Sequence, residues 1–523
     1  MKNPPLDMPE APEPPLPEPE EVAAASLTGK TILGAVWMVG WRMTTRLVGL
    51  FSTLVLARLL APGDFGLVAM ATVLSGAIDA ISTMGLVEAL VRHPRYEARL
   101  LNAAFSLQLL RGIATAAVTM LLAWPASLWF HEPRLFLLMM PLALGSIIAG
   151  LENIGIVEFR REMRFDMEFR LLAIPRLLQV VITIVLAFTL KSYWTLVIGI
   201  VAGKLLRLVM TYVAHPYRPR FSLDGWRELV GFSFWTWLSG LASMVWERVD
   251  PVIIGPAFGA AALGTYLLGM EIATLPITEL VAPAGAALYA GVARARSRDG
   301  EVVTMSLPIV ALLMLSIAPL TIGLSATSGY VVDVLLGAKW TAAQPLMAIF
   351  ALACLFAPFS YVCTTILLAS GRMRQNFQVV AMSAAVKVAV LTAATTFTKR
   401  PELIAMASVC TNFVEASLFV VQVRRLGDVG WSSARGGLLR IILTGIVTSG
   451  LLYLSGWGWR APEVIGVWPA LWKGGLIGIS TLVVAGIVQL ALWHLAGRPA
   501  GPERRVLDLA GGLIESKLKR KAG

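Results

Sequence analysis

Runs of roughly 20 apolar residues, the length that carries a helix across a hydrocarbon core of about 30 Å, recur from Thr31 almost to the end of this 523-residue chain. A sequence built this way folds in a bilayer. Strand-period alternation is absent, which argues against a barrel. With 57% hydrophobic and only 15% charged residues, the chain also lacks the polar surface a soluble fold of this length needs.

Cutting the runs at charge clusters and at Gly/Pro punctuation predicts fourteen helices, centred in 31–57, 65–91, 101–125, 134–156, 171–190, 193–214, 229–255, 261–292, 303–326, 341–370, 376–397, 402–423, 436–456 and 470–495. Alternate connections differ sharply in charge. One set carries Arg92, Arg95 and Arg99, then Arg160, Arg161, Arg164 and Arg170, then Arg218, Arg220 and Arg227, then Arg294, Arg296 and Arg298, then Arg372 and Arg374, and ends with Arg424, Arg425 and Arg435; the other holds little beyond Arg58, Arg134, Lys191, Lys339, Lys399, Arg400, Arg460 and Lys473. The positive-inside rule places the first set, and with it both termini, on the cytoplasmic side. The net charge of +12 is thus mainly a topology signal, and basic residues dispersed over short loops do not make a nucleic-acid-binding face. Attraction to anionic lipid head groups is the natural second role.

Residues 1–28, rich in Pro and Glu, read as a disordered cytoplasmic tail. The domain reading is then a first six-helix bundle at 29–214, a cytoplasmic linker at 215–228, a second bundle at 229–425, two additional helices within 426–497 and a basic tail at 498–523. Cys354, Cys363 and Cys410 lie in or beside apolar runs and act as small core residues. The histidines His93, His131, His215 and His494 sit near helix ends without a second ligand at helical spacing, so no metal site is expected.

Shifting the chain by 198 residues lays Gly66 on Gly264, Phe65 on Leu263 and Ala61 on Gly259. The polar elbow Pro62, Gly63 and Asp64 is therefore a helix hairpin used twice, with Pro62 placed to open the second helix of its pair. Each copy begins a block of about six helices. An even-numbered block keeps its orientation on duplication, giving parallel repeats about an axis along the membrane normal and a central cavity suited to alternating access. The expected fold class is an all-α integral membrane protein of about fourteen transmembrane helices: two six-helix parallel pseudo-repeats around a central cavity, plus two C-terminal helices.

The segments "ARLLAPGDFGLVAMATV", "LVEALVRHP", "LNAAFSLQLLRG", "FRREMRF" and "RVDPVIIGPAFGAAALGTYLLGMEIATLP" resemble the polysaccharide transport family of lipopolysaccharide exporters and O-antigen flippases, in the superfamily that also holds the multidrug/toxin antiporters and the lipid II flippase. The resemblance covers roughly residues 30 to 420, is strongest in the first half, and carries no motif beyond about 425.

Ionisable residues at mid-bilayer cost at least about 2.5 to 3.5 kcal/mol on insertion scales, so each needs a partner or a wet cavity. Arg42 and Arg46 stand four residues apart on one face of the first helix. They line a cavity that receives an anion, or pair with Asp79 or Glu88 of the second helix. In "WERVDP", Arg248 completes a basic cavity while Asp250 caps or locks the outer gate, unless Glu247, Arg248 and Asp250 simply bridge one another. Glu271 and Glu279, two turns apart, bind a coupling cation or neutralise the arginines. Lys387 and Glu415, at similar depth on adjacent helices, are expected to pair, with a lysine free for phosphate as the alternative. Trp37, Trp41, Trp235 and Trp237 sit deep enough to stack on sugar rings or to face lipid.

What the resemblance implies is a flippase for polyprenyl-diphosphate-linked oligosaccharide (an exopolysaccharide, capsule or O-antigen repeat unit). Arg42, Arg46, Arg248 and Lys387 would bind substrate, and Asp79, Asp250, Glu271, Glu279 and Glu415 would gate or couple to ions. Its partners would be the lipid-linked substrate and membrane lipids, with a polysaccharide polymerase and chain-length components as further candidates. No phosphate-cradling G-x-x-x-x-G-K-[ST] is present, so neither ATP hydrolysis nor a cofactor is expected. A cation-coupled drug antiporter of the same architecture is the first alternative, although its cavity should be acidic. A membrane polymerase, ligase or glycosyltransferase is the second, yet such an enzyme needs a sizeable loop bearing catalytic acids, and the loops here are short.

Overall fold

The computed structural model describes residues 44–82, 86–92, 97–229, 234–281, 299–426, 431–459, 466–499 and 501–508. Among these the chain forms helices and turns without a strand. The first half comprises α1 (44–59), α2 (Pro62–Ser82), the short α3 (Leu86–Arg92), α4 (Ala98–Trp129), α5 (Arg134–Gly150), the short α6 (Val157–Arg161), α7 (Phe165–Leu190) and α8 (Trp194–Ala214). After the single turn α9 (Trp226–Leu229), the second half follows with α10 (Phe234–Ala273), a π-helical turn (Ile277–Val281), α11 (Asp299–Ala326), α12 (Ser328–Leu335), α13 (Ala343–Ala353), α14 (Ala357–Ala369), α15 (Met373–Phe397) and α16 (Pro401–Arg424). The two additional helices are α17 (Trp431–Leu454) and α18 (Val467–Leu495).

Eleven described helices are long and apolar enough to cross a membrane, or twelve if the pair Arg134–Gly150 and Ile154–Arg161, bent by 60°, counts as one. The fourteen expected spans thus stand at eleven or twelve here. Two expected spans run together as α10, which Gly259 (φ 81°) breaks at the second elbow, and α1 is described only from residue 44. Large apolar side chains such as Leu121, Val213, Leu454, Trp468 and Leu495 point outward, the arrangement a lipid-facing surface requires.

The duplicated elbow is where the halves meet. Pro62 opens α2, as its missing N–H permits, and the Asp64 carboxylate accepts the backbone N–H of Ala61 at 3.0 Å. A Cβ on Gly66 would overlap the carbonyl oxygen of Ala260, and one on Gly264 would overlap that of Pro62 and lie 3.0 Å from the nitrogen of Gly66. Residues 62 and 260 are themselves 198 apart. Each glycine therefore touches the residue four positions before the other, the reciprocal contact that a two-fold relation demands.

The next layer repeats the relation. Trp340 donates Nε1–H to the carbonyl of Ala57 at 2.8 Å, while Phe130 of the corresponding first-half turn packs on Gly255, the residue equivalent to Ala57. Ala57, Met70, Phe130, Leu263, Tyr266 and Trp340 share one buried apolar cluster. The elbow end of the molecule is sealed.

At the opposite end the linker is strapped along the first half. Asn102 Oδ1 accepts from Tyr217 Oη (2.5 Å) and from the backbone of Arg220 (2.9 Å), Ser106 Oγ accepts from the backbone of Ser222 (2.8 Å), and His215 meets Glu158 at 2.9 Å. After α18 the chain turns back so that Glu503 receives Arg440 through two hydrogen bonds of 2.8 and 3.0 Å and Gln489 at 2.9 Å. Burial pushes the Glu503 carboxyl up, but the Arg440 hydrogen bonds outweigh it and hold the group below the usual carboxylate range.

Two outcomes are expected. Gly66→Val or Gly264→Val forces the elbows apart, so that a single cysteine at Ala57 reacts with aqueous maleimide about tenfold faster, equivalent to about 1.4 kcal/mol of opening free energy. Because the folded pKa of Glu503 is depressed, its attachment of the C-terminal segment is complete above the unfolded value of about 4.3 and is lost as pH falls through the folded one. Limited proteolysis of that segment across the acid range reads the loss, and Glu503→Gln should show it already at neutral pH.

Candidate functional site

Two of the described ion pairs inside the membrane involve the charged residues singled out in the sequence. Arg46 sits on α1 about 20 Å from its elbow end at 1.5 Å per residue. Its guanidinium crosses to the second half, where Nε donates to Glu279 Oε1 at 2.8 Å and Nη2 to Thr278 Oγ1 at 2.5 Å. Both acceptors lie on the π-helical turn. The described partners of Arg46 thus belong to the second half and do not include Asp79. Its face of α1 is turned toward the second half, Asp79 stands 4.0 Å from Arg111 of α4, and the side chain of Glu88 lies outside the described set. The expected neutralisation of an arginine by Glu279 is present. Glu271, on the same arm of α10, lies within the electrostatic reach of Arg46. Arg42, Trp37 and Trp41 lie outside the described residues.

The second centre belongs to the second half. Lys387 of α15 donates to Asp250 Oδ2 at 2.6 Å and to the carbonyl of Trp246 at 2.9 Å, with Nζ 4.7 Å from the Trp246 ring centroid. Tyr266 Oη approaches Asp250 Oδ1 at 3.5 Å and shares a 2.9 Å hydrogen bond with Ser408. Lys387 thus departs from the expected pairing with Glu415, which accepts instead from Ser360 Oγ at 3.3 Å. Equal depth on neighbouring helices put Lys387 and Glu415 on one level, but the rotation of α15 aims the ammonium at α10.

A cavity of about 520 Å³ opens beside this pair. Glu247, Arg248, Asp250, Lys387 and Glu415 line it, as does Thr278, the residue that Arg46 reaches from the first half. Among the described residues its lining comes from the second half. Glu247 and Arg248 are exposed, whereas Asp250 and Lys387 are buried, so Arg248 is the cation presented to this space. Asp250 is committed to Lys387. Two aromatic candidates bind protein: Trp235 stacks under Arg374 (5.5 Å), and Trp237 donates to the carbonyl of Ile81 at 3.3 Å, bridging the halves.

The structure adds residues that the sequence reading passed over. In the first half Arg207 meets Glu152 at 3.1 Å, Arg111 faces Asp79, Lys204 sits in the electrostatic field of both acids, and Arg176 donates to Gln179 at 3.2 Å. The signal was available, since Arg111, Arg176, Lys204 and Arg207 all stand well inside apolar helices. Trp246, Tyr266 and Ser408 carried no such signal because their roles depend on what crosses them in space.

Residues 55–345 match the profile of the polysaccharide biosynthesis protein family. Over 330 residues, 60% of this chain, the sequence is 26% identical to the succinoglycan biosynthesis transport protein ExoT of Rhizobium meliloti (strain 1021), and the match spans 65% of that protein, just under two-thirds. It is 21% identical over 361 residues to the lipopolysaccharide biosynthesis protein WzxC of Escherichia coli (strain K12), covering 68% of this chain and 73% of that one. The fold is similar to that of the lipid II flippase MurJ in an inward closed conformation, with a TM-score of 0.70 at 13% identity over 89% of this chain and 100% of the other. An inward-facing multidrug resistance MATE family transporter gives 0.56 at 15% identity, over 75% and 95%. A profile that takes in more than half of the chain, from the first elbow through the second, settles its kinship: the chain belongs to the polysaccharide biosynthesis protein family.

Proposed function

We propose that this protein flips polyprenyl-diphosphate-linked oligosaccharide, an exopolysaccharide, capsule or O-antigen repeat unit, from the cytoplasmic to the outer face of a bacterial inner membrane. Both termini are cytoplasmic in this reading, and the elbow end faces outward. Family membership, the transport role named for the succinoglycan relative and the flippase role named for MurJ support it. The observation that carries it is Arg46. A guanidinium buried and fully capped would be a strut, but this one keeps 40% of its side chain exposed and its described hydrogen bonds use Nε and Nη2. Nη1 is left to make the first, charge-assisted contact with a phosphate oxygen.

Arg42, Arg46 and Arg248 serve as the substrate-binding cations. The diphosphate enters while the lipid tail stays in the bilayer, and rocking of the two halves about the elbow seal exposes the head group to each side in turn. Lys387, assigned from sequence to the substrate, is placed instead as the internal counter-ion of Asp250. Polymerase and chain-length components are partners on the receiving side. A second reading, a cation-coupled antiporter, draws on Glu247, Asp250 and Glu415 around the cavity.

Proteoliposomes loaded with a defined polyprenyl-diphosphate sugar test the first reading. The wild type is expected to flip it, and Arg46→Ala to slow flipping roughly 10- to 100-fold, the loss of a charged hydrogen bond. Transport of a cationic dye by both proteins, with no sugar-lipid movement, would favour the antiporter. For the buried pair, Lys387→Met leaves Asp250 uncompensated and should cost about 3–5 kcal/mol of stability. Adding Asp250→Leu should restore most of it, as read by thermal unfolding in detergent.

A further inference from the structure

Glu279, expected from the sequence to gate, to couple ions or to neutralise an arginine, meets Arg46 in an unusual setting. It lies on the π-helical turn Ile277–Val281, a wide turn that helices seldom adopt outside functional sites. The neighbouring Thr278 both lines the cavity and accepts from Arg46. The pair joins α1 of the first half to the segment after α10 of the second, and its members are 40% and 37% exposed. An incoming anion therefore reaches the guanidinium without first unfolding anything.

We propose that Glu279 is a built-in stand-in for the substrate's phosphate. Its carboxylate holds Arg46, and thereby ties the two halves at this level, until a diphosphate oxygen displaces it. The π-helical turn supplies the room for that exchange. Passing the wide turn along the chain by one residue re-aims Glu279 by up to about 100°, one residue's rotation in an α-helix, which carries the carboxylate off the guanidinium. Substrate arrival and release of the inter-half tie are then one event, because both compete for the same N–H groups. The same competition makes the empty transporter resist rocking. The proposal rests on the flippase reading for its ligand, the diphosphate group.

The two roles open to Glu279 predict opposite signs. If it competes with phosphate, Glu279→Gln raises the affinity of the full-length protein in lipid nanodiscs for inorganic pyrophosphate by about tenfold, measured by isothermal titration calorimetry. Arg46→Gln abolishes that binding, and Glu279→Asp, which keeps the charge, stays near wild type. If Glu279 only props Arg46 in place, Glu279→Gln weakens pyrophosphate binding along with Arg46→Gln. Unchanged or weaker binding by a folded Glu279→Gln protein, or no pyrophosphate binding by either wild type or variant, overturns the proposal. Flipping of the sugar-lipid by the wild type, measured in parallel, separates the two failures: transport without competition sinks the latch alone, whereas competition without transport sinks the flippase reading and leaves the latch as an anion-responsive tie.

Discussion

Two positions without a Cβ atom let one half of this protein touch the other backbone to backbone. At Gly66 and Gly264 any side chain would overlap a carbonyl of the opposite elbow, so the duplicated hairpins close on each other only as glycines. The apolar plug around Ala57, Phe130 and Trp340 forms on top of that contact, and the pairs Arg46–Glu279 and Asp250–Lys387 lie deeper than it.

Exposure divides the roles of these two pairs. Asp250 and Lys387 are almost wholly withdrawn from solvent and bind α10 to α15 within one half. Desolvating two charges is repaid only by short, well-directed contacts, and the pair has them in a 2.6 Å bridge, a carbonyl acceptor and the Trp246 ring. Arg46 and Glu279 are half-exposed and cross between halves. Their mutual attraction is weaker in that wetter setting, which makes the second pair the exchangeable one and the first the structural one.

Much of this was legible beforehand. The 198-residue offset found in the sequence reappears as physical reciprocity, Gly66 against Ala260 and Gly264 against Pro62, because a duplicated block of even helix count brings equivalent surfaces together about an axis. Pro62 opens its helix as its chemistry requires. The pairings were less legible. Lys387 was matched to Glu415 by depth, and for Arg46 a cavity, acids of its own half and Glu271 or Glu279 all stayed open, for one reason: counting residues from a helix end gives depth but not rotation about the helix axis. Arg111, Lys204 and Arg207 were overlooked although their depth was just as countable.

Sequence alone determined that the chain spans a membrane as helices, that its first two bundles are copies, and which residues carry charge into hydrocarbon. These follow from apolar run length, period and spacing, all properties measured along the chain. Only the tertiary structure decided that Arg46 meets Glu279 on a π-helical turn and that Lys387 meets Asp250. Partner choice depends on how helices far apart in sequence rotate and cross, and that is settled by packing, where glycines admit close approach and larger side chains hold helices apart.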